Sequence, residues 1–116
     1  MNQLEFQWGK LLVQLQNQFG KKPDIDALLF LIGVRELGKM PEDFSKEEKQ
    51  NLMHIATCKL LSRQGYYELE FADQDGWPHW KAVKPLPHMD LMAQENLLKE
   101  NIINYFIEID YFNELN

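Results

Sequence analysis

Apolar residues recur along the chain in two rhythms, and the change from one to the other divides it into elements. Leu4, Trp8, Leu11, Leu12, Leu15 and Phe19 follow the i, i+4, i+7, i+8 spacing that sets all six on one face of a helix. Gly20 supplies its stop signal. Phe6 and Val13 fall on the opposite face, among Gln7, Lys10, Gln14 and Asn17, and form a second apolar strip suited to a subunit contact. Pro23 and Asp24 then lead into a capped helix. Ile25 to Leu37 is apolar around most of its circumference, with Asp24, Asp26, Arg35 and Glu36 gathered at its ends. Such a helix belongs in the middle of a domain, covered on several sides, with Gly33 allowing a neighbouring helix close and Gly38 ending it. A strand over Leu28 to Val34 is the competing prediction, because short apolar runs fit both periods.

After a loop from Lys39 to Phe44, Ser45 and Glu48 stand in the S-x-x-E arrangement of a capping box. Phe44, just ahead of the cap, is placed to staple the first turns. The helix is predicted to run to about Gln64, with Leu52, Met53, Ala56 and Leu60 inward and Gly65 closing it. From Tyr66 the period changes to two. Tyr67, Leu69 and Phe71 alternate with Glu68 and Glu70, which predicts a half-buried strand. Asp73-Gln74-Asp75-Gly76 is turn chemistry, and Trp77 to Val83 returns as the partner strand before Pro85 and Pro87. Pro78 cannot donate to a ladder, so it belongs at the start of that strand or on an edge. A lone hairpin is marginal in water and must pack on the helices.

The last segment, from about Met89, keeps Leu91, Leu98, Ile102, Tyr105, Ile109 and Phe112 in 3-and-4 spacing, and Met92, Ile103, Phe106 and Ile107 widen its apolar face. That is more apolar surface than one helix contact covers, so the helix is either deeply embedded or shared with a second subunit. Glu95 on the seam argues against a long coiled coil. The predicted fold is α+β, mainly α. It is a compact four-helix domain spanning residues 1–116, with helices at about 2–19, 24–37, 46–64 and 89–112, and one antiparallel β-hairpin at about 66–83 between helices 3 and 4.

Composition narrows the class of protein. At 116 residues, with 45% hydrophobic side chains, three Trp, four Tyr and seven Phe, the chain has enough to bury and is not of disordered type. A single cysteine, Cys58, excludes a disulfide scaffold. The net charge of -6 is uneven: residues 85–116 carry one basic and six acidic groups, while the rest is nearly balanced. No segment has the basic footprint of a nucleic-acid binder. The apolar run Ala27 to Val34 is far short of the ~20 residues of a membrane span. Met1 to Glu5 lacks the pattern of a signal peptide. These features predict a cytoplasmic protein with no membrane contact and a free, buried thiol.

No residue set predicts catalysis, a cofactor or a metal site. His54 and Cys58 share a helix face, but two donors do not make a site, and further ones would have to come from His79 or His88. Cys58 sits among Ile55, Ala56 and Leu61, the setting of a packed thiol rather than an activated one. Asp73 and Asp75 lack the remaining ligands of a calcium loop. The least ordinary feature is Trp77-Pro78-His79-Trp80. Alternation sends Trp77 and His79 to one hairpin face and Trp80 to the other, so one indole joins the core and the other is open. Because Trp is enriched at binding hot spots, Trp77, His79 and Trp80 are the candidate partner-binding residues.

The element order resembles that of dimeric winged-helix proteins. Leu60-Leu61-Ser62-Arg63-Gln64-Gly65-Tyr66-Tyr67, a strand and the Asp75-Gly76 turn look like the passage from recognition helix to wing. The resemblance is one of topology over most of the chain. It implies a third helix that enters DNA, a last helix that dimerises, and Lys46, Lys49, Lys59 and Arg63 as the cations to test. The chain departs from that family's pattern where it carries Lys46-Glu47-Glu48-Lys49 at the start of the helix and Glu68, Glu70, Asp73 and Asp75 in the wing. The preferred expectation is therefore a non-catalytic protein-binding or assembly module, with nucleic acid the lesser alternative. It is expected to form a homodimer through Phe6, Val13, Ile103 and Ile107.

Overall fold

The computed structural model describes residues 2–38 and 43–111. The predicted loop residues Lys39 to Glu42, and Phe112 of the last helix, lie outside them. In chain order the elements are α1 (Gln3–Phe19), α2 (Ile25–Leu37), α3 (Lys46–Ser62), β1 (Tyr67–Ala72), β2 (Pro78–Ala82) and α4 (Leu91–Glu108). The fold is α+β and mainly α, with the antiparallel hairpin between α3 and α4. Leu28 to Val34 is helical, not a strand. No helix among the described residues is long and apolar enough to cross a membrane.

The chain divides into two units, Ile25–Pro87 and the pair of terminal segments Met1–Asp24 and His88–Asn116. In the unit Ile25–Pro87, α2 packs along α3 around Val34, Leu37 and Leu52, flanked by Phe30, Phe44 and Trp77. Gly33 is what lets the two helices meet: a Cβ there would overlap the Leu52 carbonyl oxygen and come 2.7 Å from its carbon. The absence of a side chain is thus a packing requirement rather than a backbone one. The capping box forms as the sequence predicts, with Glu48 N–H donating to Ser45 Oγ at 3.1 Å and Ser45 N–H donating to Glu48 Oε1 at 2.9 Å. Phe44, predicted as a staple on α3, also lies edge-on to Phe30 of α2 with ring centres 5.9 Å apart. It thereby ties the start of α3 to its neighbour. Of the predicted inward residues Leu52, Ala56 and Leu60 are buried and Met53 is only half-buried. Ile55, Cys58 and Leu61 are also buried, because α3 is covered by α2 on one side and carries the hairpin on another.

The hairpin corrects one prediction. Tyr67 pairs with Ala82, Glu68 with Lys81 and Leu69 with Trp80, but the next pair is Phe71 with His79, which leaves Glu70 as a bulge. One extra residue shifts the alternation. Phe71 therefore leaves the face of Tyr67 and Leu69 and joins the face of His79, on which it stacks at 4.5 Å and 6°. The strand is also more open than expected, with Leu69 57% and Phe71 52% exposed. A two-stranded ribbon has two faces, and its splayed apolar stripe is not covered as one surface.

In the terminal unit α1 packs on α4. Leu11 and Leu15 of α1 are buried, and so are Ile102, Ile103, Tyr105 and Phe106 of α4. Tyr111 is held edge-on to Phe106 at 5.1 Å and donates its hydroxyl hydrogen to Gln18 Oε1 at 2.8 Å. Of the wide apolar face predicted for the last helix, Ile102, Ile103, Tyr105 and Phe106 are buried, whereas Leu91 and Met92 at its start and Ile107 near its end are exposed. Asn101 is enclosed as well, its amide donating to the Leu97 carbonyl at 2.9 Å while its Oδ1 has no partner.

Candidate functional site

A groove of about 400 Å³ opens within the unit Ile25–Pro87, between α3 and the hairpin. Glu48, Asn51, His54 and Ile55 form its helical wall. Their i, i+3, i+6, i+7 spacing is one face of α3. The facing wall comes from the turn residues Asp73 and Asp75 and from the run Trp77 to Trp80. The three predicted partner-binding residues, Trp77, His79 and Trp80, therefore meet in one groove.

Asp73 organises the turn wall. Its Oδ1 accepts from the backbone N–H groups of Asp75 and Trp77, each at 3.0 Å, and its N–H donates to the Trp77 carbonyl at 2.9 Å. The backbone N–H of Gly76 donates to the Asp73 carbonyl at 3.0 Å, with Gly76 in the left-handed region at φ 85° that suits glycine. Its second oxygen, Oδ2, meets His79 Nε2 at 3.0 Å. A carboxylate only accepts, so this imidazole nitrogen carries the proton. The His79 hydrogen bond, then the one from Trp77, holds the Asp73 carboxyl below its ordinary value of 3.8. The ring of His79, fixed by Asp73 on its edge and by Phe71 on its face, is a positioned group on an open surface.

Neither indole is fully buried or open, so the expected division into one core and one open indole does not occur. Trp77 is half-buried and packs on the Val34, Leu37 and Leu52 cluster. Trp80 is also half-buried, and its indole N–H is shielded from solvent without a hydrogen-bond acceptor. An unpaired buried donor of this kind costs about 1–3 kcal/mol. At the base of the hairpin, Lys84 Nζ donates to the Gln64 carbonyl at 2.8 Å and lies 4.4 Å from the Tyr66 ring centre.

Cys58 Sγ lies 3.5 Å from His54 Nε2, so the pair noticed in the sequence is in contact. Burial pushes the thiol up to about 11, and a neutral thiol at physiological pH is not a nucleophile. No group of three or more metal-ligating side chains occurs among the described residues.

The second candidate surface lies in the terminal unit. A groove of about 350 Å³ has Leu11, Ile103, Phe106 and Tyr111 as apolar lining and Lys10 and Asp110 among its polar residues. Ile103 is 7% exposed within it, whereas Ile107, which also lines it, is 65% exposed. Phe6 and Val13 are 62% and 51% exposed on α1. Of the four predicted dimer contacts, three are open to solvent and Ile103 is part of the packing. Sequence reasoning missed the helical wall of the first groove. Its spacing was readable, but which element would dock beside that face was not.

Comparison with models of known families, with characterised proteins and with solved structures finds no match to the chain.

Proposed function

We propose that the chain is a non-catalytic binding module of the cytoplasm that takes a segment of a partner protein between α3 and the hairpin. The observation that carries this reading is the convergence of Trp77, His79 and Trp80 in one groove. Large amphipathic side chains held rigid on a turn and a strand are the residue types that dominate binding energy when a partner covers them. Glu47 and Glu48 on α3, with Asp73 and Asp75 in the turn, favour a protein segment over DNA, because they repel phosphates where a winged-helix protein would contact them.

The test is a photo-crosslinking side chain placed at His54, on the groove wall, and at the exposed Gln16 of α1 as a control. The expected result is an adduct with a discrete protein from the first position only. That protein, once purified, should bind the wild-type chain and lose on the order of tenfold or more in affinity to Trp80→Ala. Equal adducts from both positions contradict the proposal. So does anisotropy of a labelled DNA duplex that rises at low salt and falls steeply as salt is added.

A second reading, self-association as a homodimer, is favoured by the exposure of Phe6, Val13 and Ile107. Sedimentation velocity tests it: a dimer that Val13→Lys converts to monomer supports the reading, and a wild-type monomer at high concentration removes it.

A further inference from the structure

The lining of the α3–hairpin groove specifies more than a generic surface. It includes Trp77 and the three residues that follow it, yet none of β1. Successive strand residues point to opposite faces, so a surface touched by all of them runs along the edge of β2 rather than over one face. That edge is unpaired, since the sheet has two strands and β1 occupies the other side. Unpaired strand edges offer backbone donors and acceptors to an added extended segment. The charged lining of the groove is acidic. Glu48, Asp73 and Asp75 line it together with His54 and His79, and no Lys or Arg does. Asp73 is held by His79 and the turn amides, which leaves Glu48 and Asp75 as the carboxylates open to a partner's cation. Two indoles share the wall with these carboxylates, and the faces of Trp rings attract cations as carboxylates do. The volume falls within the roughly 300–1,000 Å³ of ordinary ligand sites.

We infer that the groove takes an extended segment of a partner protein laid along the edge of β2, with an arginine or lysine side chain directed among the indoles and carboxylates. The inference rests on the binding-module reading and names the chemistry of its partner. Charge complementarity chooses the occupant. An acidic segment would meet three carboxylates. An apolar one would leave those carboxylates facing an apolar side chain instead of water.

The experiment uses the full chain labelled with ¹⁵N and three synthetic heptapeptides on one extended threonine and valine scaffold, whose central residue is arginine, glutamine or glutamate. The chain has three indole N–H signals, and Trp8 on α1 serves as the internal control. The arginine peptide should shift the Trp77 and Trp80 indole signals and the backbone amides between Asp75 and Trp80, leaving Trp8 in place. The glutamine peptide should bind about fivefold more weakly and the glutamate peptide more weakly still. Asp75→Asn should weaken the arginine peptide about threefold, and added salt should do the same. Arginine and glutamine peptides that bind equally overturn the cation assignment while leaving a binding groove. Groove signals that stay still with all three peptides overturn both the assignment and the groove as a docking surface.

Discussion

The α2–α3 pair and the hairpin it carries are built on opposite terms. Leu28 and Ile32 of α2, and Leu52 and Ala56 of α3, are fully buried, and the helices meet so closely that Gly33 cannot bear a side chain. In the hairpin every residue of β1 after Tyr67 is exposed, and order comes from the hydrogen bonds of Asp73, the Phe71–His79 stack and the Lys84–Gln64 tie. Apolar burial contributes in proportion to area, so the helix pair holds this unit together. The hairpin is anchored on that pair through Trp77 and is otherwise fixed by its own ladder and by polar contacts that compete with water, and it contributes shape and chemistry instead. Surfaces that bind are commonly drawn from such weakly buried segments placed on a rigid support.

This contrast ranks the effects of substitutions. Gly33→Ala forces a methyl group into the Leu52 backbone and should cost about 3 kcal/mol, read as a lower denaturant midpoint. A loss below about 0.5 kcal/mol would mean that the helices separate easily and the contrast is overstated. Ser45→Ala removes half of the capping box and should cost about 1 kcal/mol by the same measurement. Asp73→Ala should leave the denaturant midpoint little changed while hairpin amides exchange several-fold faster. Leu69→Thr, on the open ribbon, should lie within about 0.5 kcal/mol of wild type.

Titration divides the molecule along the same line. Burial in the helix pair raises the Cys58 thiol, so its neutral form is favoured by folding. Its contribution is complete below 9.0 and lost as pH rises towards about 11, which thermal melts across that interval would show. Asp73 has the opposite sign. Its folded value lies below 3.8, so its contribution is present above that pH and is lost on acidification below it. Hairpin amide signals should respond to the acid change and α3 signals to the alkaline one.

The helix pair was also the more legible of the two regions. Ser45 and Glu48 marked the start of α3 because a capping box is satisfied within four residues, and the girdle of apolar residues on α2 announced a helix covered on several sides. Gly33 read as a place where a neighbouring helix could come close, and the Leu52 backbone lies there, whereas Gly9 of α1 meets nothing. The hairpin's existence was readable from Asp73 to Gly76, but its faces were not. A period-two pattern carries no mark of the bulge at Glu70, which depends on the pairing with His79 and Trp80. Trp77, His79 and Trp80 drew attention as residue types, whereas Glu48, Asn51 and His54 became groove residues only through the docking of the hairpin. In α4 the periodicity showed which residues share a face, and the enclosure of Asn101 and the exposure of Leu91 and Met92 followed from what covers each turn.

Native-state hydrogen exchange tests the division between support and surface most directly. The amides of Leu52, Ala56 and Leu60 should exchange only with global unfolding. Those of Asp73 and Val83, bonded to the Trp77 and Tyr66 carbonyls, should exchange at least about tenfold faster through local opening. Equal protection at all five positions would contradict the account, because the hairpin would then be as firmly held as the helices beneath it.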